Sequence, residues 1–206
     1  EYRGYDSAGV AIRTDGGDLT VVRRAGKLAN LRAALAEPGV GELTGTLGIG
    51  HTRWATHGAP NDRNAHPHTD CTGAVAVVHN GTLENFTELR DALEHRGHTL
   101  ASETDTEAVA HLIEERYDGD LAAAVRAVCR ELDGSFVLVV THRDEPNVVI
   151  GARRNLPLVI GLREGANFLA SDVTAFIAHT RTARIVDPDQ VVVLRRDQVA
   201  VTDLDG

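Results

Sequence analysis

Apolar positions recur along this chain at two periods, and they divide it into strands and helices. Residues 8–13 and 19–23 are short β-type runs on either side of Asp15-Gly16-Gly17, a hairpin signal. Between 27 and 36, Leu28, Leu31 and Leu35 have helical spacing, and Pro38-Gly39 ends the run. Residues 45–50 and 74–78 read as buried strands. Three helices follow: 84–95 with Phe86, Leu89 and Leu93 on one face, 105–117 with Val109, Leu112, Ile113 and Tyr117, and 121–132 with Leu121, Val125, Val128, Cys129 and Leu132. Thr104-x-x-Glu107 opens the second of them with capping-box spacing. The last part is mostly β: 135–141, 147–152, 156–161 and 167–170, a short helix at 173–178, then 183–186, 190–194 and 198–202. Turns at Asp187-Pro188-Asp189 and Arg195-Arg196-Asp197 make these strands antiparallel neighbours. The pattern predicts one α+β domain over residues 1–206, with two sheets and a helix layer.

Composition narrows the function classes. A hydrophobic share of 42% in 206 residues is enough for a real core, and an aromatic share of 4% means that Val, Leu, Ile and Ala build it. The net charge of −9 argues against nucleic acid or an anionic membrane as partner, because both require basic patches. Two cysteines without a C-x-x-C pair are not a disulfide framework and fit a reducing cytoplasm. No stretch has the length and apolarity of a membrane span or a signal peptide. The chain opens at Glu1 and contains no Met, so it reads as a piece of a longer protein.

Three polar blocks interrupt the apolar pattern: Gly50-His51-Thr52-Arg53-Trp54-Ala55-Thr56-His57-Gly58, His79-Asn80-Gly81, and Ser102-Glu103-Thr104-Asp105-Thr106-Glu107. The Arg53 guanidinium offers a planar fork for a carboxylate, and Asp105, at a helix start, could take an ammonium group. Together they would read both ends of a free amino acid. The plain alternative is a surface ion pair and a helix-start residue. Asn80-Gly81 reads first as a turn. Its other reading is an oxyanion hole, built from the Asn80 side-chain amide and the Gly81 N–H, with glycine admitting a substrate close to the backbone. Trp54 is either core or the wall of a pocket, and glycines at 48, 50 and 58 would let this segment move as a lid. His51, His57, His66, His68 and Cys71 lack recurrent zinc spacing, and Pro67 separates His66 from His68, so neither a metal nor another cofactor is expected. A Cys71–histidine nucleophile is conceivable but lacks a helix N-terminus to activate the thiol, and Cys129 reads as a small core hydrophobe.

Six blocks in order carry a family resemblance: Glu1-Tyr2-Arg3-Gly4-Tyr5-Asp6-Ser7-Ala8-Gly9, the His51 to Gly58 stretch, Asn64-Ala65-His66-Pro67-His68, His79-Asn80-Gly81, Glu84-Asn85, and Ser102 to Glu107. The chain resembles, over its whole length, the N-terminal glutaminase domain of glutamine–fructose-6-phosphate aminotransferases. That resemblance implies an N-terminal-nucleophile hydrolase fold, a four-layer αββα sandwich of two mostly antiparallel sheets, and class II glutamine amidotransferase chemistry. It implies that Arg53 holds the α-carboxylate of L-glutamine and Asp105 its α-amino group. Thr56 and His57 help close the pocket, Asn80 and Gly81 form the oxyanion hole, and Trp54 stands at the mouth of an ammonia path. The family's nucleophile is a terminal cysteine preceding the Tyr-Arg-Gly block; neither Cys71 nor Cys129 matches it, so these 206 residues alone are expected to be inert and to bind glutamine weakly. The sugar isomerase domain that aminates fructose 6-phosphate is expected beyond Gly206. Two alternatives remain at this point: a non-catalytic glutamine-binding module, and the glutaminase domain of a phosphoribosyl-pyrophosphate amidotransferase.

Overall fold

The computed structural model describes residues 4–37, 40, 43–54 and 58–206. Its elements run β1 (Ser7–Arg13), β2 (Leu19–Ala25), α1 (Leu28–Leu35), β3 (Leu47–Arg53), β4 (His68–Thr69), β5 (Val75–Leu83), α2 (Phe86–His95), α3 (Asp105–Arg116), α4 (Leu121–Glu131), β6 (Gly134–His142), β7 (Val149–Arg154), β8 (Val159–Leu162), β9 (Phe168–Ala170), β10 (Thr182–Ile185), β11 (Gln190–Leu194) and β12 (Val199–Asp203). The predicted helix at 173–178 is a single 3-10 turn, Val173–Ala175, capped by Asp172.

A six-stranded antiparallel sheet, ordered β12-β11-β7-β6-β5-β4, is the centre of the molecule. Alternate residues of its strands enter two different cores, as the period-two geometry of a strand requires. Val75 and Val77 of β5 and Phe136, Leu138 and Val140 of β6 pack with α3 and α4, through Val109, Leu112, Val125 and Val128. Ala76 and Val78 of β5 and Val137 of β6 face the other way, against Ala11, Ile49, Leu158 and Ile160. Ala11, Ile49 and Ile160 belong to two three-stranded pieces, β2-β1-β3 and β10-β8-β9, which together make the second β layer, and Leu158 immediately precedes β8. α1 covers the first piece through Leu31 and Ala34. The order of layers is helix, sheet, sheet, helix, the α+β sandwich expected from the resemblance.

Two glycines set how closely the layers approach. Gly9 of β1 lies against the His66 segment so tightly that a Cβ there would overlap the His66 carbonyl oxygen and sit 2.9 Å from that of Val22. Gly81 of β5 has φ 139°, and its Cβ would overlap the Ser135 carbonyl of β6. This corrects the reading of Asn80-Gly81 as a turn. Asn80 pairs with Val137 and Gly81 with Phe136, so both lie inside β5, where pairing with β6 overrides local turn propensity. Gly48 and Gly50 are likewise strand residues, opposite Ile12 and Val10 of β1, which leaves them no role as lid hinges.

Gly9→Ala is expected to destabilise the fold by about 1–3 kcal/mol, since backbone must move to accept the methyl group. Gly16→Ala, in the open β1–β2 turn, is the control, because its Cβ would meet nothing nearer than 3.7 Å. Urea unfolding of both variants makes the comparison; equal midpoints would refute the close approach.

Candidate functional site

The three polar blocks meet at one cleft of about 1480 Å³. Arg53, Trp54, Asn80, Gly81 and Asp105 all line it. Thr56 and His57 lie outside the described residues.

Arg53 closes β3, whose polar end is held in register by β1: Thr52 opposite Ala8, and Arg53 opposite Ser7. The side chain is almost fully buried, and its Nη2 lies 3.5 Å from the Gly58 carbonyl oxygen. Burial lowers the pKa of the guanidinium, opposed by the carboxylates of Asp105 and then Asp6. The group remains a cation, and the pull of Asp105 on it puts both charges at the same cleft.

Asp105 is the first residue of α3 and is also buried. Its Oδ2 accepts a hydrogen bond from the Leu83 N–H at 3.1 Å, which ties the end of β5 to the start of the helix. Its Oδ1 lies 3.5 Å from His79 Nδ1. The capping box expected here does not form. The Thr104 hydroxyl pairs instead with His68 Nε2 at 2.9 Å, and Glu107 reaches back to accept from the N–H groups of Ala101 at 2.8 Å and Ser102 at 2.5 Å. Asn64 completes the brace: its amide donates to Glu103 Oε2 at 2.8 Å and accepts from the Glu103 N–H at 3.0 Å. Neither the bracing by Asn64 nor the reach of Glu107 to the Ala101–Ser102 backbone follows from the sequence pattern, in which Glu107 reads only as part of a capping box.

Asn80, half-buried, projects from β5 at the cleft. Trp54 is 64% exposed, with its ring centroid 5.6 Å from that of Tyr5, so a lone tryptophan serves here as rim and not as core. Neither thiol of the chain lines the cleft. The conceivable Cys71 partnership with His66 or His68 does not occur, because its Sγ lies 3.4 Å from Nδ1 of His98 and of His111. Cys129 is buried in the α3–α4 core, which pushes its thiol up to about 12.

Beneath the cleft lies a layer of imidazoles. His51 and His66 have ring centroids 4.6 Å apart, and His66 and His68 5.0 Å. Thr106 Oγ1 links His79 Nδ1 at 3.1 Å with His66 Nε2 at 3.2 Å. Burial, then His79 and Arg53, pushes His51 down to about 4. Burial, then Arg23, pushes His68 down to about 3, although Glu107 opposes. His66 is held well below its ordinary value by burial and the surrounding rings. These three are therefore neutral at pH 7 and fill a polar floor without adding charge.

Comparison with known proteins agrees with this architecture. Residues 51–178 match the family model described as a glutamine amidotransferase domain. Over its full length the chain is 62% identical to the glutamine–fructose-6-phosphate aminotransferase [isomerizing] of Streptomyces coelicolor, and 54% identical to that of Thermus thermophilus, covering 33% of each protein. The chain thus spans about one third of the length of these curated relatives. Among solved structures, the glutamine phosphoribosylpyrophosphate amidotransferase of B. subtilis superposes with a TM-score of 0.82 at 27% identity, over 98% of this chain and 44% of that one.

The buried imidazoles are expected to make the fold acid-sensitive. An unfolded histidine takes up its proton near ~6.5, but His51 and His68 in the fold do so only near 4 and 3. The unfolded chain binds more protons below about pH 6.5, so stability falls as the pH drops from there toward 4. Glu107 acts in a lower window. Burial alone would raise its pKa, but the nearby His111 imidazole and hydrogen bonds from Ser102 and Ala101 hold it to about 2, so its contribution is present above 4.5 and lost as the pH falls toward 2. His51 alone is expected to cost about 3 kcal/mol by about pH 4. Thermal melts at stepped pH check this, and a melting temperature unchanged down to about pH 5 would mean that these rings are charged in the fold.

Proposed function

The chain belongs to the glutamine amidotransferase domain family, and from that premise we propose that it is the glutaminase part of an enzyme that moves ammonia from L-glutamine to fructose 6-phosphate. The observation that carries the proposal is the convergence of Arg53, Asp105, Asn80 and Gly81 on one cleft, although they come from the end of β3, the second half of β5 and the start of α3. A cation and an anion at one cleft suit a zwitterion. Arg53 grips the α-carboxylate through its fork, and Asp105, with one oxygen held by Leu83, offers charge to the α-ammonium group. The side-chain amide of glutamine then reaches toward β5.

The reaction is acyl transfer. In this reading the nucleophile is the terminal cysteine thiolate implied by the family resemblance, since Cys71 and Cys129 lie elsewhere. The sulfur attacks the amide carbon, and the oxygen that gains charge is met by the Asn80 amide and the Gly81 N–H. The C–N bond breaks, the nitrogen takes the proton that the cysteine's own α-amino group removed from the thiol, and ammonia leaves past Trp54. Water hydrolyses the glutamyl thioester to glutamate and restores the thiol. Ammonia passes to a sugar isomerase domain of the same protein, where fructose 6-phosphate becomes glucosamine 6-phosphate. The identity to the Streptomyces coelicolor and Thermus thermophilus aminotransferases supports this acceptor, and the acidic charge and two free cysteines suit a cytoplasmic enzyme.

In the full-length protein, Asn80→Ala is expected to lower glutaminase kcat by about 100- to 1000-fold, with little change in KM for glutamine. Arg53→Ala is expected to weaken glutamine binding by about 2–5 kcal/mol. Steady-state assays of glutamate release separate the two effects. Unchanged turnover in Asn80→Ala would remove the oxyanion-hole assignment. Amination of phosphoribosyl pyrophosphate in place of fructose 6-phosphate would change the acceptor but keep the cleft.

A further inference from the structure

A second cluster of chemically capable side chains lies outside the cleft. Cys71 sits in the turn between β4 and β5, His98 in the loop after α2, and His111 and Glu114 one turn apart on α3. None of the four lines the cleft. One ligand atom from each lies within 4.8 Å of the others. Cys71 Sγ is 3.4 Å from both His98 Nδ1 and His111 Nδ1, and Glu114 Oε2 is 3.5 Å from His98 Nδ1 and 3.3 Å from His111 Nδ1. A tetrahedral zinc ion with a bond of about 2.3 Å to sulfur and about 2.0–2.2 Å to nitrogen or oxygen spaces its ligand atoms by about 3.3–3.6 Å. Those four separations are therefore four of the six edges of a zinc tetrahedron.

The protons point the same way. His98 Nε2 lies 3.1 Å from Glu115 Oε1, and His111 Nε2 lies 3.9 Å from Glu107 Oε1. Glu115 draws the His98 ring N–H to Nε2 and leaves its Nδ1 lone pair directed inward, the orienting arrangement common around metal-bound histidines, while Glu107 stands beyond hydrogen-bond distance of His111 Nε2. Glu114 adds carboxylate lone pairs. His98 Nδ1 and the Glu114 carboxylate thus face Cys71 Sγ and His111 Nδ1 across the same small space.

We propose that Cys71, His98, His111 and Glu114 form a structural zinc site, with Sγ, two Nδ1 atoms and one carboxylate oxygen as a closed set of four ligands. Two neutral imidazoles, a thiolate and a carboxylate balance the charge of the ion, and thiolate with imidazole favours zinc over harder cations. A zinc-bound cysteine is a thiolate, so the Cys71 thiol must give up its proton. On binding, that proton passes to solvent. The ion staples the β4–β5 turn and the loop after α2 onto α3, two turns beyond Asp105.

The test uses the full-length protein, stripped with chelator and dialysed. Metal-free protein is expected to take up one equivalent of zinc per chain, with a rise in melting temperature. Co²⁺ in its place is expected to give a tetrahedral visible spectrum with a thiolate-to-cobalt charge-transfer band. Cys71→Ser and His98→Gln should each lower zinc affinity by at least about 100-fold and abolish the thermal shift. No thermal shift with zinc, a cobalt spectrum without the thiolate band, or unaltered zinc affinity in both variants would each overturn the proposal. The cobalt spectrum decides the matter on the unsubstituted protein should either variant fail to fold, and glutaminase assays remain independent of it.

Discussion

The hydrogen bond from the Leu83 N–H to the Asp105 carboxylate joins the two parts of the structure on which the cleft depends. β5 carries Asn80 and Gly81 within the central sheet, and α3 begins beside the end of that strand. A helix start favours a carboxylate, because its unpaired N–H groups and dipole present positive charge there. Asp105 therefore stabilises the helix, fixes its position on the strand, and keeps negative charge at the cleft where Arg53 supplies positive charge. One residue meets both the structural and the binding reading, and its buried oxygen atoms differ in what they face.

Holding charged groups in a nearly closed interior has a cost, and the surroundings show how it is met. Burying an ion without partners is strongly unfavourable. Arg53 and Asp105 offset one another across the cleft, while the floor beneath is built from imidazoles that burial keeps neutral. The neutral rings of His68 and His66 instead pair with the hydroxyls of Thr104 and Thr106. Protonating that floor would set positive charge beside the guanidinium, which is why acid is expected to act on the fold and on the cleft together.

Much of this architecture was legible in the residue pattern. Val75, Val77, Ala76 and Val78 alternate between two cores, and a strand buried on both faces reads as a continuous apolar run. The helix faces were legible for the same reason, since Val109, Leu112 and Ile113 repeat at the helical period. What the pattern hid was tertiary. Asn80-Gly81 has the composition of a turn, and only pairing with Val137 and Phe136 keeps it in a strand. Trp54 could by sequence be core or pocket wall, and its exposure and tilted contact with Tyr5 put it at the rim. Thr104 and Glu107 have capping-box spacing, but His68 and the Ala101–Ser102 backbone compete for their side chains and win.

α3 shows why local reading stops there. Every residue from Asp105 to Ile113 is buried, so the helix has no solvent side along its first two turns. Apolar residues meet the sheet and α4, but Glu107, His111 and Glu114 repeat at i, i+4 and i+7 and form a polar stripe along one line. A buried polar stripe must find partners. Near the cleft Glu107 finds them in the backbone before Asp105, and farther along His111 and Glu114 find them in Cys71 and His98. The spacing of the stripe is visible in sequence, but its partners are separated from it by up to 43 residues, and no periodicity within one helix can reveal them. The same helix thus fixes the cleft at its first turn and gathers a thiol and two imidazoles at its third, so the segment from His98 to Thr104 is held at both ends.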